Sequence, residues 1–187
     1  MQSLLKLSAV LDKVLAFFGK LGAWCGLLLV LVVVYDVISR YAGVPKPFGL
    51  NSTMIQESEY WLHSFLFMFM IGYAYVRQSH VRIDLVRERF PLKVKYALEA
   101  LGCLLFIVPY SLVFASYSWR YAYTSFLEGE ISKSVIGLSN IWILKMAMPL
   151  MFALLFIAAI SQLIKSIAGL AGKLPDDMIS QTLGGDN

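Results

Sequence analysis

At 187 residues, with 59% hydrophobic and only 15% charged side chains and a mean hydropathy of +0.70, the chain lies well below the charge content of about 25% usual for soluble domains. That excludes an ordinary soluble globular protein and leaves one integral membrane domain, with no stretch left over for a separate globular core. The net charge of +4 therefore bears on which side of a bilayer the cations occupy, and not on nucleic-acid binding.

Residues 1–20, "MQSLLKLSAVLDKVLAFFGK", place Lys6, Lys13 and Lys20 on one helical face and Leu4, Leu7, Leu11, Leu15 and Phe18 on another. This pattern predicts an amphipathic helix lying along the inner leaflet before the chain turns in; a straight extension of the first span is the simpler alternative. A bilayer core of about 30 Å needs roughly 20 apolar residues, which predicts spans at about 21–41, 60–76, 97–121 and 141–164. The first contains "LLLVLVVVYDVI" and has no small-residue cleavage site behind it, so it is expected to stay uncleaved. The second is bounded by Glu59 and Arg77, and the third follows Pro91, which suits a first helical turn. The fourth carries Pro149, expected to kink it, and Lys145 and Lys165 near its two ends, where long side chains snorkel to the headgroups. Residues 172–187 have turn formers and no periodicity, the pattern of a frayed tail.

The fold expected is thus all-α, with four transmembrane helices plus the amphipathic N-terminal helix. Lys6, Lys13, Lys20, Arg77, Arg82, Arg87, Arg89, Lys93, Lys95, Lys165 and Lys173 fall on one side of that topology. Arg40, Lys46, Arg120, Lys133 and Lys145 fall on the other. The positive-inside rule then places both termini in the cytoplasm.

The sequence offers no catalytic, metal or cofactor constellation. Its two histidines, His63 and His80, are 17 residues apart, about 25 Å along a continuous helix, too far for both to ligate one haem. Zinc spacing, a nucleophile elbow and a phosphate-binding glycine loop are also missing. Cys25 and Cys103 lie inside apolar runs and read as packing residues. Asp36 and Arg40 have the i,i+4 spacing of a helical ion pair, as do Lys95 and Glu99. Arg40 is also placed to meet Glu57 or Glu59 across the first hairpin. The connection "QSHVRIDLVRERF" reads as a topology-setting elbow beside anionic lipid, worth roughly 1 kcal/mol per cation, with Asp84 capping a short helix.

Taken together, "RYAG", "IQESEYWLHSFLFMFMIGYAYVRQSHVRID" and "GLSNIWILKMAMPLMFALLFIAAISQLIK" resemble the small, DctQ-type membrane subunit of tripartite ATP-independent periplasmic (TRAP) transporters. The stretches "SWRYAYTSFLEGEIS" and the Lys-containing last span resemble the mannitol, chloroaromatic and 2-oxo acid branch. The family pattern falls here on Arg40, Glu57 with Glu59, His80 to Asp84, Trp142 and Pro149, which the resemblance makes structural or subunit-interface candidates. Leu138 to Ile141 depart from it at the entry to span four. The resemblance implies a non-catalytic brace for the stationary scaffold of a large elevator-type permease subunit. It also implies a periplasmic binding protein that delivers an organic acid anion, and sodium ions held by the large subunit rather than by this chain. Asp36, Glu128 and Glu130 on the outer rim then become docking candidates, and Tyr117, Trp119, Tyr121 and Tyr123 an aromatic belt. The implied location is the cytoplasmic (inner) membrane of a bacterium or archaeon, with phospholipid around the chain. The alternative class is a four-helix membrane anchor of a respiratory redox enzyme; a self-assembling channel is a third.

Overall fold

A computed structural model describes residues 1–46, 49–79, 89–134 and 136–183, and these are helical with no strand. Helix α1 runs unbroken from Gln2 to Ala42 and ends at Gly43, whose φ of 65° gives the left-handed turn that closes a helix. Helix α2 (Ser52–Val76) starts at Asn51, whose side-chain oxygen accepts from the Met54 amide at 2.8 Å. Helix α3 (Leu92–Leu127) contains a π-helical turn at Cys103–Ile107. Pro109 follows directly, and because proline has no N–H to give the Leu105 carbonyl, the widened turn absorbs the missing bond. Helix α4 (Trp142–Leu170) carries Pro149 inside it, buried. A 3₁₀ turn at Asp176–Met178 leads into the short α5 (Ile179–Leu183).

Among the described residues three helices, α1, α3 and α4, are long and apolar enough to cross a membrane. The 25-residue α2 has the length, about 37 Å, but Tyr60, His63, Ser64, Tyr73 and Tyr75 dilute its apolar run. Of the three, α4 is the best covered, with 28% of its most apolar window buried against 11% for α1 and for α3. The reason is position: α4 packs on α1, α2 and α3, whereas α1 packs mainly on α2 and α3 mainly on α4. The small core joins Leu15, Val76, Leu154 and Ala158, flanked by Phe18, Tyr73, Tyr75, Leu150 and Ile157.

The N-terminal expectation changes here. No break separates residues 1–20 from the first span; α1 is one helix of 41 residues, about 60 Å long and twice a bilayer core. The face it buries overlaps the leucine face read in the sequence only in part, at Leu15 and Phe18. Ser8, Asp12, Leu15, Gly19, Gly22 and Gly26 recur at alternating spacings of four and three. Ser8, Leu15, Gly19 and Gly22 are buried, while Leu4 and Leu7 are exposed. Where lipid supplies the apolar surroundings, small residues face the neighbouring helix because they let backbones approach, and large aliphatics face outward. At Gly22 an added Cβ would stand 2.9 Å from the Leu66 carbonyl oxygen. The tail departs from expectation as well: Thr182 and Leu183 are buried, so residues 179–183 form a docked element.

Candidate functional site

The polar side chains gather at the two ends of the bundle. At the end holding both termini, the antiparallel course of α1 and α4 brings Ser8 and Asp12 beside Ser161 and Lys165, one turn apart on each helix. The Ser8 and Ser161 hydroxyls are 2.8 Å apart, Ser161 donates to Asp12 Oδ1 at 2.6 Å, and Lys165 Nζ donates to Asp12 Oδ2 at 2.6 Å. The Lys165 side chain is 1% exposed, so the reading of it as a snorkelling residue is corrected. Its ammonium lies inside the bundle because Asp12 offers a carboxylate there, and a buried cation without one would be too costly.

Beside this pair, the Thr182 carbonyl accepts from Gln78 Nε2 at 2.9 Å and from Gln162 Nε2 at 2.5 Å. Gln162 also reaches Glu99 Oε1 at 3.3 Å, and the Tyr75 hydroxyl donates to the same oxygen at 3.3 Å while lying 3.2 Å from Cys103 Sγ. The expected Lys95–Glu99 pair is not formed: among the described residues, Glu99 faces Tyr75 and Gln162. This second cluster ties α2, α3, α4 and the C-terminal segment together.

At the opposite end, Arg40 pairs with Asp36 in its own helix at 2.5 Å, as the i,i+4 spacing predicts. With its side-chain oxygen turned toward α1, Gln56 also accepts from the Arg40 guanidinium. Glu57 does not meet Arg40. Its carboxylate accepts from the Ser132 hydroxyl and, at 2.5 Å, from the Leu138 amide. Gly137 passes so close that an added Cβ would crowd the Glu57 carboxylate, which would have to shift to admit any larger residue. Glu59 makes no ion pair within the described residues, and its Oε1 is buried without a hydrogen-bond partner.

The α3–α4 loop is further held by Asn51, which donates to the Ile136 carbonyl at 2.7 Å. Glu130 accepts from Ser125 at 2.6 Å and from Lys145. These donors hold the Glu130 carboxyl below the usual carboxylate range, with Lys145 the largest contributor. Lys145 also stands 4.0 Å over the Tyr121 ring, so its charge is used within the chain. Asn140 takes a φ of 63° at the point where the sequence departs from the family pattern, and its Oδ1 accepts from Trp142 Nε1 at 3.3 Å. Trp142 packs edge-on against Phe126.

Of the residues singled out in the sequence, Asp36, Arg40, Glu57, Glu130 and Trp142 thus share one end, and Pro149 lies within α4. Asp36 is 5% exposed and paired with Arg40, whereas Glu128 is exposed. His80 and Asp84 lie outside the described residues. His63 packs on Phe67. Among the described residues no group of three or more His, Cys, Asp or Glu could hold a metal ion. Sequence reasoning missed Asp12, Ser132 and Gln162. The available signal for Asp12 was its place on the small-residue face of α1, the only carboxylate there.

The exterior is apolar. Leu27, Leu28, Val30, Leu31 and Val34 on α1, and Leu101, Leu104, Leu105, Phe106, Leu112 and Val113 on α3, are all exposed, as are Tyr117, Trp119, Tyr121 and Tyr123. No curated protein and no solved structure shows significant similarity to the chain. The family model for the DctQ component of tripartite ATP-independent periplasmic transporters matches residues 29–169, which takes in most of α1's apolar half, all of α2 and α3 and nearly all of α4. With its polar groups tied inward at both ends and its long helices apolar outside, the chain belongs to that family of small TRAP transporter components.

Proposed function

We propose that the chain braces the stationary scaffold of a large elevator-type permease subunit in a sodium-coupled TRAP transporter for organic acid anions. Four spans, with α2 as the fourth and both termini in the cytoplasm, fit the distribution of its cations. The location that follows is the inner membrane of a bacterium or archaeon. A large permease and a periplasmic binding protein are the partners that membership of a tripartite system implies; sodium and substrate are assigned to the large subunit.

One observation carries the reading. α1 and α3 flank the α2–α4 pair, and each presents a long apolar face that this chain leaves uncovered. A face of that kind supports bracing because it can lie against another membrane subunit on one flank and lipid on the other. The exposed Glu128 stays the candidate for contact with the binding protein. The respiratory-anchor alternative receives no support from the family match.

Single cysteines at Leu28, Leu31, Phe106 and Val113, introduced with Cys25 and Cys103 replaced, test the proposal by cross-linking to the co-expressed large subunit. Adducts confined to one flank are expected. Exchange of this subunit alone for a homologous one should lower transport without altering which substrate is carried; a changed substrate would overturn the brace.

A further inference from the structure

At the termini end, α1, α2 and α4 line a half-open cavity of about 240 Å³, far above the ~10–15 Å³ that admits one water. We infer that it holds the phosphate of an anionic phospholipid. Three cations line it, Lys13, Arg77 and Lys165, with one acid, Asp12. The acid is already engaged, because both of its oxygens are taken by Lys165 and Ser161. Lys13 and Arg77 have no carboxylate partner among the described residues. Arg77 is oriented by its own helix: Nε donates to the Tyr73 hydroxyl at 3.1 Å and the guanidinium lies 5.4 Å from that ring's centroid. Its terminal N–H groups are left for a ligand, in the planar fork that suits phosphate oxygens. The Tyr73 ring is itself fixed against Gly19, where a Cβ would fall 2.8 Å from the ring carbons.

The ligand is an amphiphile rather than a free ion because the same face of α1 continues into an apolar slot. It is a shallow, open groove of about 290 Å³ on the surface of α1, lined by Lys20, Ala23, Trp24 and Leu27. With Lys13 and Ala16 beside the first cavity, Lys20, Ala23 and Leu27 recur at spacings of three and four, Trp24 lying next to Ala23, which places them along one side of the helix. The row passes from the charged cavity into the apolar half of α1, so a headgroup at Lys13 and Arg77 would lay an acyl chain past Trp24. Basic pockets between membrane helices bind acidic headgroups in this way.

The inference rests on this end lying at a membrane surface. Nanodiscs with two identical leaflets read binding for either orientation, and protease protection of the N-terminus in sealed membrane vesicles reports orientation separately. The experiment is native mass spectrometry and thermal shift of the full chain with phosphatidylglycerol, phosphatidylcholine or inorganic phosphate. Tighter binding of phosphatidylglycerol than of phosphatidylcholine is expected. Lys13→Gln and Arg77→Gln should each weaken it about fivefold, and the double variant about 25-fold, equivalent to roughly 1 kcal/mol per cation. Lys93→Gln should leave it unchanged. If the Gln variants misfold by circular dichroism, Lys13→Met and Arg77→Met remove the same charges while keeping an aliphatic stem and should weaken the preference likewise. Equal binding of both lipids, wild-type affinity in the double variant, or displacement by inorganic phosphate at equal concentration would each overturn the inference.

Discussion

Lys165 Nζ lies 2.6 Å from Asp12 Oδ2, and the lysine side chain is almost completely buried. The two residues are 153 positions apart, so the start of the chain is locked to the end of its last long helix. Removing only the acid strands a buried ammonium, which costs about 3–5 kcal/mol, whereas exchanging both groups for apolar ones of similar size is often neutral. Asp12→Ala should therefore lower the melting temperature of the detergent-solubilised chain sharply. Asp12→Leu with Lys165→Met should recover most of the loss, and no recovery would show that the pair is not what couples α1 to α4.

At Gly72, α2 packs tightly against α4 and α1. A Cβ there would stand 2.8 Å from the Leu154 carbonyl oxygen and 2.8 Å from Leu15 Cδ2. Backbone cannot yield as a flexible side chain can, so Gly72→Ala should destabilise by about 1–3 kcal/mol. Gly102, also helical, has nothing within 4 Å of its Cβ position. Gly102→Ala should be neutral or stabilising by up to about 1 kcal/mol, as expected when only backbone entropy changes. Thermal denaturation of the two variants side by side makes the comparison.

The Glu57 carboxylate organises the α3–α4 loop through Ser132 and the Leu138 amide. Glu57→Gln halves the acceptor capacity and turns an amide donor toward other donors. With hydrogen bonds to a charged group worth about 1.5–3 kcal/mol each, protection of the Leu138 amide against hydrogen exchange should fall while that of α1 stays as in the wild type. Because Arg40 takes Asp36 as its partner, combining Arg40→Glu with Glu57→Arg should not restore the loop. A full rescue would contradict the partners described.

Acidification should loosen the same loop at Glu130. Its carboxyl is held below the ordinary range, chiefly by the hydrogen bond from Lys145. A group whose folded value is depressed stabilises above its unfolded value and loses that contribution as pH falls through the folded one. Exchange protection of residues 128–134 should therefore be level near neutral pH and decline only below the usual carboxylate range. Glu130→Gln should abolish that acid-dependent step; an unchanged step in this variant would place its origin elsewhere.

The C-terminal segment should behave as part of the bundle. Removing residues 175–187 takes away the Thr182 carbonyl that accepts from Gln78 and Gln162, leaving two amide donors in a partly buried site at about 1–3 kcal/mol for each group unsatisfied. Limited proteolysis should then cut near Gln78 faster than in the full chain. Equal rates would show that the segment is only apposed.

Local pattern carried much of this molecule. The apolar runs gave the long helices because spanning lipid requires every backbone group to be satisfied within its own segment, and a run of about 20 apolar residues shows this without reference to neighbours. The Asp36–Arg40 pair was legible for the same reason, both partners lying on one turn-and-a-bit of helix. Motifs of fixed order, from "RYAG" to the Trp142 and Pro149 of the last helix, carried the family. What lay beyond a linear reading was partner choice between distant segments. Asp12 and Lys165 meet because α1 runs antiparallel to α4, and Glu57 with Leu138 and Gln162 with Thr182 meet because the α3–α4 loop and the C-terminal segment fold back onto the ends of the bundle. Leu4 and Leu7 of the leucine stripe point outward while Leu15 enters the core, for a related physical reason: beside lipid, apolarity no longer marks the inside, and close approach of small residues does.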